Sequence, residues 1–335
     1  MDTGEFSLKV YRNFGTHQFS DGWDSRDYTN GAMIRFTTRG ITRHEFTAGG
    51  DLRYFGGESL NWPKGEWRKN DGSIFLNDEY IPDSHWILSA GLRLQSDSLY
   101  GEELCPRVGV VFQATDATRF RVSISKGFRS PQLSELYMFP PANPDLKPER
   151  VWNYELGVEH DFGTRLIVKG SVFHMKGSNM IQTIVNPKGL PPYIFANTGE
   201  FAFNGAEIEL EAHVTSFCSG NIGYTYLDTG DFTKGRPGQK IDLSLRFHVK
   251  NILAALQGQH VTDYFAADFS QRRIPSYFIL NSRFVFAIFR DLDLLMDVNN
   301  LFNRYYCIYG EYSGLTAGLY QMPGRNIQFG IRFRP

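Results

Sequence analysis

A period-two alternation of apolar and polar side chains is the feature that most limits how this chain folds. Over 241–250, Ile241, Leu243, Leu245, Phe247 and Val249 alternate with Asp242, Ser244, Arg246, His248 and Lys250. Over 206–215, Ala206, Ile208, Leu210, Ala212 and Val214 alternate with Glu207, Glu209, Glu211, His213 and Thr215. Near the end, Ile327, Phe329, Ile331 and Phe333 alternate with Gln328, Gly330, Arg332 and Arg334. Weaker versions run through 46–54, 86–94, 120–124, 152–158, 280–288 and 292–298. Successive side chains of a strand point to opposite faces, so the pattern describes strands with one apolar face. A helix needs spacings of three and four, and no long stretch keeps them. The aromatic content of 15% also suits strands.

The connections constrain the arrangement further. Tight turns near 40–42, 82–84, 115–117, 161–163, 215–216, 250 and 290 alternate with longer connections at 14–30, 56–72, 97–105, 128–149, 177–200, 228–238, 260–276 and 303–324. That alternation predicts about 16 antiparallel strands with all long loops at one end. A soluble sandwich has no reason to gather its long loops so. An outer-membrane barrel does, with short periplasmic turns and long extracellular loops. Lipid offers the backbone no hydrogen-bond partner, so only a helix or a closed sheet spans it. The expected fold is all-β: a transmembrane antiparallel up-and-down β-barrel filling 1–335 as one domain. Both termini then fall on the periplasmic side.

This assigns faces. Ile208, Leu210, Leu243, Leu245, Phe329 and Ile331 are expected to meet lipid, and Glu207, Glu209, Glu211, Asp242, Arg246 and Arg332 the lumen. A metal or acid–base role for the three glutamates is the alternative to a solvated wall. Cys218 shares the phase of Ile222, Tyr224 and Tyr226 and is expected on the lipid side. Trp86, Trp152 and Tyr154 sit at strand ends, where aromatic girdles or ordinary cross-strand packing place them.

Other classes are excluded or unsupported. Lys+Arg 35 against Asp+Glu 36 leaves no basic excess for nucleic acid. Cys105, Cys218 and Cys307 are far apart, with no C-x-x-C. No apolar run of about 18 residues forms a membrane helix. Met1-Asp2-Thr3-Gly4-Glu5 lacks the character of a signal peptide, so a trimmed start or a fragment is expected. Phosphate-loop, dinucleotide, zinc-protease and nucleophile-elbow motifs are all missing. The eight histidines are scattered without metal-ligand spacing. No catalytic residue, metal or cofactor is expected.

Three segments carry a family resemblance. Ser125-Lys126-Gly127-Phe128-Arg129-Ser130-Pro131-Gln132-Leu133-Ser134-Glu135-Leu136-Tyr137 is similar to the S-x-G-F-R-x-P-x-x-x-E-L-Y run of the TonB-dependent outer-membrane receptors, where a strand enters an extracellular loop. Asn143-Pro144-Asp145-Leu146-Lys147-Pro148-Glu149 resembles the N-P-x-L-K-P-E segment leading into the next strand. Val298-Asn299-Asn300-Leu301-Phe302-Asn303-Arg304-Tyr305-Tyr306, followed by Met322-Pro323-Gly324-Arg325-Asn326, resembles the family's final hairpin. The prolines restrict their predecessors to extended backbone. Glu149 or Glu135 is expected to pair with Arg129 as a loop anchor. Asn299, Asn300 and Asn303 are expected to bond the local backbone.

The resemblance implies uptake of a large scarce nutrient, such as a ferric siderophore, haem or cobalamin, across the outer membrane. Its partners are outer-membrane lipid, the nutrient, and the energy-coupling protein TonB acting through a plug domain. The loop aromatics Trp23, Trp62, Trp67, Tyr137, Phe139, Tyr193, Tyr264, Phe265, Tyr312 and Tyr320 are candidate ligand contacts, or hold the loops together. The family also has a signal peptide, a plug and about 22 strands, none of which the sequence matches. The chain is therefore expected to be the C-terminal part of a receptor barrel, unable to couple energy alone. Phe333 precedes Arg334 and Pro335, whereas the family ends on an aromatic residue. A passive diffusion pore and a soluble β-rich binding protein or hydrolase are the alternatives. With fewer strands than the family, either a strained ring or a gap between 5–13 and 325–334 is expected, the gap being favoured.

Overall fold

The computed structural model describes residues 4–20, 22–61, 64–138, 142–163, 165–189, 193–268, 272–311 and 318–333. Its strands are β1 (Glu5–Gln18), β2 (Asp24–Thr38), β3 (His44–Ser59), β4 (Gly65–Tyr80), β5 (Trp86–Asp97), β6 (Gly101–Thr115), β7 (Thr118–Arg129), β8 (Glu149–Asp161), β9 (Leu166–Ser178), β10 (Ile181–Val185), β11 (Tyr193–Asn197) and β12 (Glu200–Thr215). They continue as β13 (Cys218–Asp228), β14 (Gln239–Val249), β15 (Ile252–Thr262), β16 (Tyr264–Phe265), β17 (Arg273–Ile274), β18 (Tyr277–Phe289), β19 (Leu292–Asn299), β20 (Cys307–Glu311), β21 (Gly318–Gln321) and β22 (Asn326–Phe333). A single π-helical turn, Ser134–Met138, interrupts the β7–β8 connection.

A 16-stranded sheet runs in strict chain order from β1 to β22. The pairs β10–β11, β16–β17 and β20–β21 stand outside it, as private hairpins within three connections. By contacts the chain divides into two compact units. One holds Met1–Gln113, Arg121–Glu155 and Met175–Phe201, and the other holds Ala114–Phe120, Leu156–His174 and Ala202–Pro335.

In the first unit, register aligns Leu8, Ile34, Gly50, Ile74, Leu94 and Leu104 into one row across β1 to β6. Leu8, Ile34, Ile74 and Leu104 are all exposed. The opposite phase is polar and buried: Asp51, Asp71 and Ser73 lie there. Ser73 Oγ donates to Asp51 Oδ2 at 2.7 Å, Arg93 Nη2 reaches the same oxygen at 2.6 Å, and Arg53 Nε meets Asp71 Oδ1 at 2.8 Å.

The second unit repeats the design. Ile208 pairs with Tyr224 and that with Ile241; Leu210 pairs with Ile222 and that with Leu243. The alternate row joins Glu209, Gly223, Asp242 and Gln259, and Gln259 Nε2 donates to Asp242 Oδ1 at 3.0 Å. Lys169 serves Glu209 and Glu211, and Arg332 meets Asp293 at 2.6 Å. Phe329 and Ile331 are bare on the apolar side. Cys218 pairs with Phe247, in the apolar row. Trp86 opens β5 and stacks on its cross-strand partner Phe112, centroids 4.3 Å apart.

The short turns fall where the pattern placed them, but three long connections do not. The β1–β2, β3–β4 and β5–β6 connections span only 19–23, 60–64 and 98–100. Pairing continues to Gln18↔Asp24, Ser59↔Gly65 and Asp97↔Gly101. Past the apolar band both faces of a strand are polar, so the alternation stops while the backbone ladder goes on.

Candidate functional site

The site grows from the end of β7. Arg129 donates Nε and Nη2 to the two carboxylate oxygens of Glu149 at 2.6 and 3.0 Å, and Nη1 to both oxygens of Glu135 at 3.1 Å. A planar guanidinium holds two carboxylates in this way, which an ammonium does not. Both expected partners are engaged together. Glu135 also accepts the Gln132 N–H at 2.8 Å, which starts the π-helical turn. Leu136 and Met138 of the turn are buried, as is Leu133 just before it.

The second motif docks on the β10–β11 hairpin. Asn143 Nδ2 donates to the Phe195 carbonyl at 2.7 Å. Asn197 accepts from the Lys147 N–H and donates to the Lys147 carbonyl, both at 2.8 Å. Leu146 and Pro148 are buried, while Pro144 is exposed. In the third motif, Asn300 donates to the Arg304 and Pro323 carbonyls and accepts the Arg304 N–H. Asn303 accepts the Arg325 N–H at 2.8 Å, and Leu301 N donates to the Leu280 carbonyl. A side chain at Gly324 would crowd Asn303, and Phe302 packs beside Phe278 with centroids 6.2 Å apart. Asn300 and Asn303 both hold positive φ, a conformation asparagine tolerates.

A cavity of about 760 Å³ opens beside the π-helical turn, within the first unit. Phe19, Trp23, Tyr28, Phe55, Phe128 and Phe195 supply its rings. Ser130–Ser134 and Met138 form one wall. Its polar groups are held in pairs: His17 Nε2 stands 2.5 Å from Asp27 Oδ2, and the Arg53 guanidinium holds Asp71. Tyr100 lies close by in the β5–β6 turn. Burial, with Tyr137, Asp97 and Glu135 nearby, pushes its hydroxyl up to about 12. Such a chamber offers flat apolar surface with a few fixed polar groups, the usual make-up of a site for an organic ligand.

The proposed loop aromatics divide. Trp23 lines the chamber. Trp67 belongs to β4, not to a loop, and stacks on Tyr137 at 5.9 Å and 6°. Tyr193 begins β11 and is half-buried. In the second unit the aromatics hold loops together. Tyr264 donates its hydroxyl to the Ile308 carbonyl at 2.6 Å, and burial raises its pKa. Phe265 lies under the Arg273 guanidinium at 5.2 Å, and Tyr320 packs on Tyr309 at 5.3 Å. Trp62, Phe139 and Tyr312 lie outside the described residues.

Leu52 of β3 is 70% exposed, while Asp51 beside it is 7% exposed. A water-soluble domain arranges these the other way; a wall between lipid and a polar lumen requires this way. The family described as TonB dependent receptor-like, beta-barrel matches residues 2–301. The chain belongs to this family. This TonB-dependent receptor barrel is a protein of the Gram-negative outer membrane, and the soluble reading falls.

An iron-regulated outer membrane virulence protein of Vibrio cholerae is 25% identical over 292 residues, 76% of this chain and 44% of that protein. The vitamin B12 transporter BtuB of Photobacterium profundum is 25% identical over 226 residues, 61% and 35% of the two chains. The match thus spans less than half the length of these relatives. Among solved structures, the copper transporter OprC aligns with a TM-score of 0.79 at 15% identity, over 98% of this chain and 62% of its own. The siderophore receptor PirA of Pseudomonas aeruginosa gives 0.74 at 15%, over 98% and 63%. At that identity the likeness is one of fold.

Sequence reasoning missed His17, Asp27, Tyr28, Arg53, Phe55, Asp71 and Phe195. One signal was available. Phe55 stands in the phase of Asp51 and Arg53, so an aromatic ring falls on the polar face of β3.

Proposed function

We propose that this receptor barrel serves the uptake of a large, scarce nutrient of the ferric siderophore, haem or cobalamin class. Recognition lies at the long-loop end, and TonB supplies the work through a plug domain, as the family resemblance implies. The observation that carries the reading is the 760 Å³ chamber, with six aromatic rings and anchored polar pairs beside the receptor motif. The relatives support the class: they include the vitamin B12 transporter and a probable TonB-dependent siderophore receptor, PiuA of Acinetobacter baumannii.

The test is equilibrium binding by the full chain in detergent micelles. Intrinsic tryptophan fluorescence is followed during titration with a ferric catecholate, a ferric hydroxamate, haemin and cyanocobalamin. Saturable quenching by one of them, weakened by Phe55→Ala, is expected. Open-channel conductance in a planar bilayer with no saturable binding marks a diffusion pore instead.

A further inference from the structure

One wall of the chamber is borrowed. Ser130–Met138 belongs to the β7–β8 connection, where Arg129 grips Glu135, yet further groups that hold it stand on β3, β4 and β5. Lys69 of β4 donates from Nζ to Ser130 Oγ and to the Pro131 carbonyl, the latter at 3.1 Å. The same ammonium pairs with Asp97, the last residue of β5, at 2.8 Å. Its side chain is 6% exposed and that of Asp97 is 0% exposed. Two positions earlier, on the same face, Trp67 stacks on Tyr137. On β3, a Cβ at Gly57 would overlap Met138 Sδ, so any side chain there must push the methionine end aside.

An ammonium taken out of water is tolerated only when its donors are used and a counter-charge is near. Lys69 meets this condition with one carboxylate and two oxygens of the borrowed wall. If the segment lifts, Asp97 stays but two acceptors go. Lys69 therefore favours the docked segment over any displaced one.

We propose that Lys69 is the positioning residue of the chamber: docking 130–138 against β3–β5, it sets the chamber's width and hence the size of ligand admitted. The bearing on ligand size rests on the uptake reading above. The docking itself is tested without any ligand.

The experiment uses the full chain in micelles with Leu136→Cys, a site 1% exposed, and a bulky maleimide as the probe. Lys69→Met with Asp97→Asn removes the pin and leaves no lone buried charge. Labelling is expected to quicken about tenfold or more, the scale of losing a buried charged hydrogen bond, while the heat-modifiable electrophoretic mobility of the folded barrel is kept. Lys69→Arg, with Asp97 intact, is expected to label more slowly than the neutral pair. Gly57→Val attacks the same docking from β3 and is expected to quicken labelling with Lys69 in place. Unchanged labelling in both the neutral pair and Gly57→Val overturns the proposal. So does quickening seen only together with loss of folded mobility, or equal rates for Lys69→Arg and the neutral pair. A chain that binds none of the four nutrients leaves these rates as they are, so the two readings fail separately.

Discussion

Asp51 and Leu52 are successive residues of β3, and the aspartate is buried while the leucine is bare. The aspartate takes Ser73 and Arg93 as partners, and the leucine stands in a row with Ala32 and Gly72. The free energy of the wall therefore depends on lipid on one face and on paired charge on the other.

The two faces predict opposite sensitivities. Leu245→Arg puts a guanidinium on the lipid side and is expected to cost about 2–4 kcal/mol if the position is near the midplane. Ser244→Arg, one residue away, is expected to be nearly neutral. Urea unfolding of the barrel in lipid vesicles, read by fluorescence, compares them; equal costs would contradict the two-faced strand.

Arg129 joins Glu135 to Glu149 through four hydrogen bonds from one planar guanidinium. Arg129→Lys keeps the charge but not the double grip. Limited proteolysis is expected to cut within 130–148 several-fold faster, with the spanning strands still protected. An unchanged cleavage rate would show that the grip is dispensable.

The Tyr100 hydroxyl, raised from 10 to about 12, makes a prediction about alkali. Burial favours the neutral phenol in the folded chain, so its contribution is complete below about pH 10. It fades as pH climbs through 12, because there the folded protein must also give up the proton. Wild type is therefore expected to lose stability between pH 10 and 12 more steeply than Tyr100→Phe. Parallel denaturation midpoints across that range would refute the assignment.

Asn300 is buried, and its amide bonds the Arg304 and Pro323 backbones. Asn300→Ala removes these bonds and keeps a side chain at a φ of 50°. The expected loss is about 2–3 kcal/mol, read as a lower temperature for the shift in electrophoretic mobility. Asn300→Gly relieves the strained φ and is expected to lose less. The reverse ranking would place the strain elsewhere.

The spanning wall was legible because lipid imposes the same demand at every turn of a strand. Ile208 and Leu243 announce their face within a window of ten residues. The strand ends were less legible. His17, Asp27 and Trp67 lie beyond the apolar band, where water suits both faces and nothing in the pattern separates a ladder from a loop. The motif residues Arg129, Glu135 and Glu149 declared an anchor, since opposite charges near two prolines have few other uses. The chamber did not declare itself. Lys69 and Ser130 are 61 residues apart, and no local periodicity links a strand lysine to a loop carbonyl on another hairpin.

The three private hairpins, β10–β11, β16–β17 and β20–β21, pair strand to strand within themselves and take no place in the main ladder. Their lengths are thus uncoupled from the register of the spanning strands. A residue gained or lost in β20–β21 shifts no lipid-facing side chain to the wrong side, whereas one gained inside β14 inverts the whole strand. Sequence drift is accordingly cheap at the tips and costly in the wall. New ligand surfaces can be grafted onto an unaltered barrel by trading hairpins between homologues.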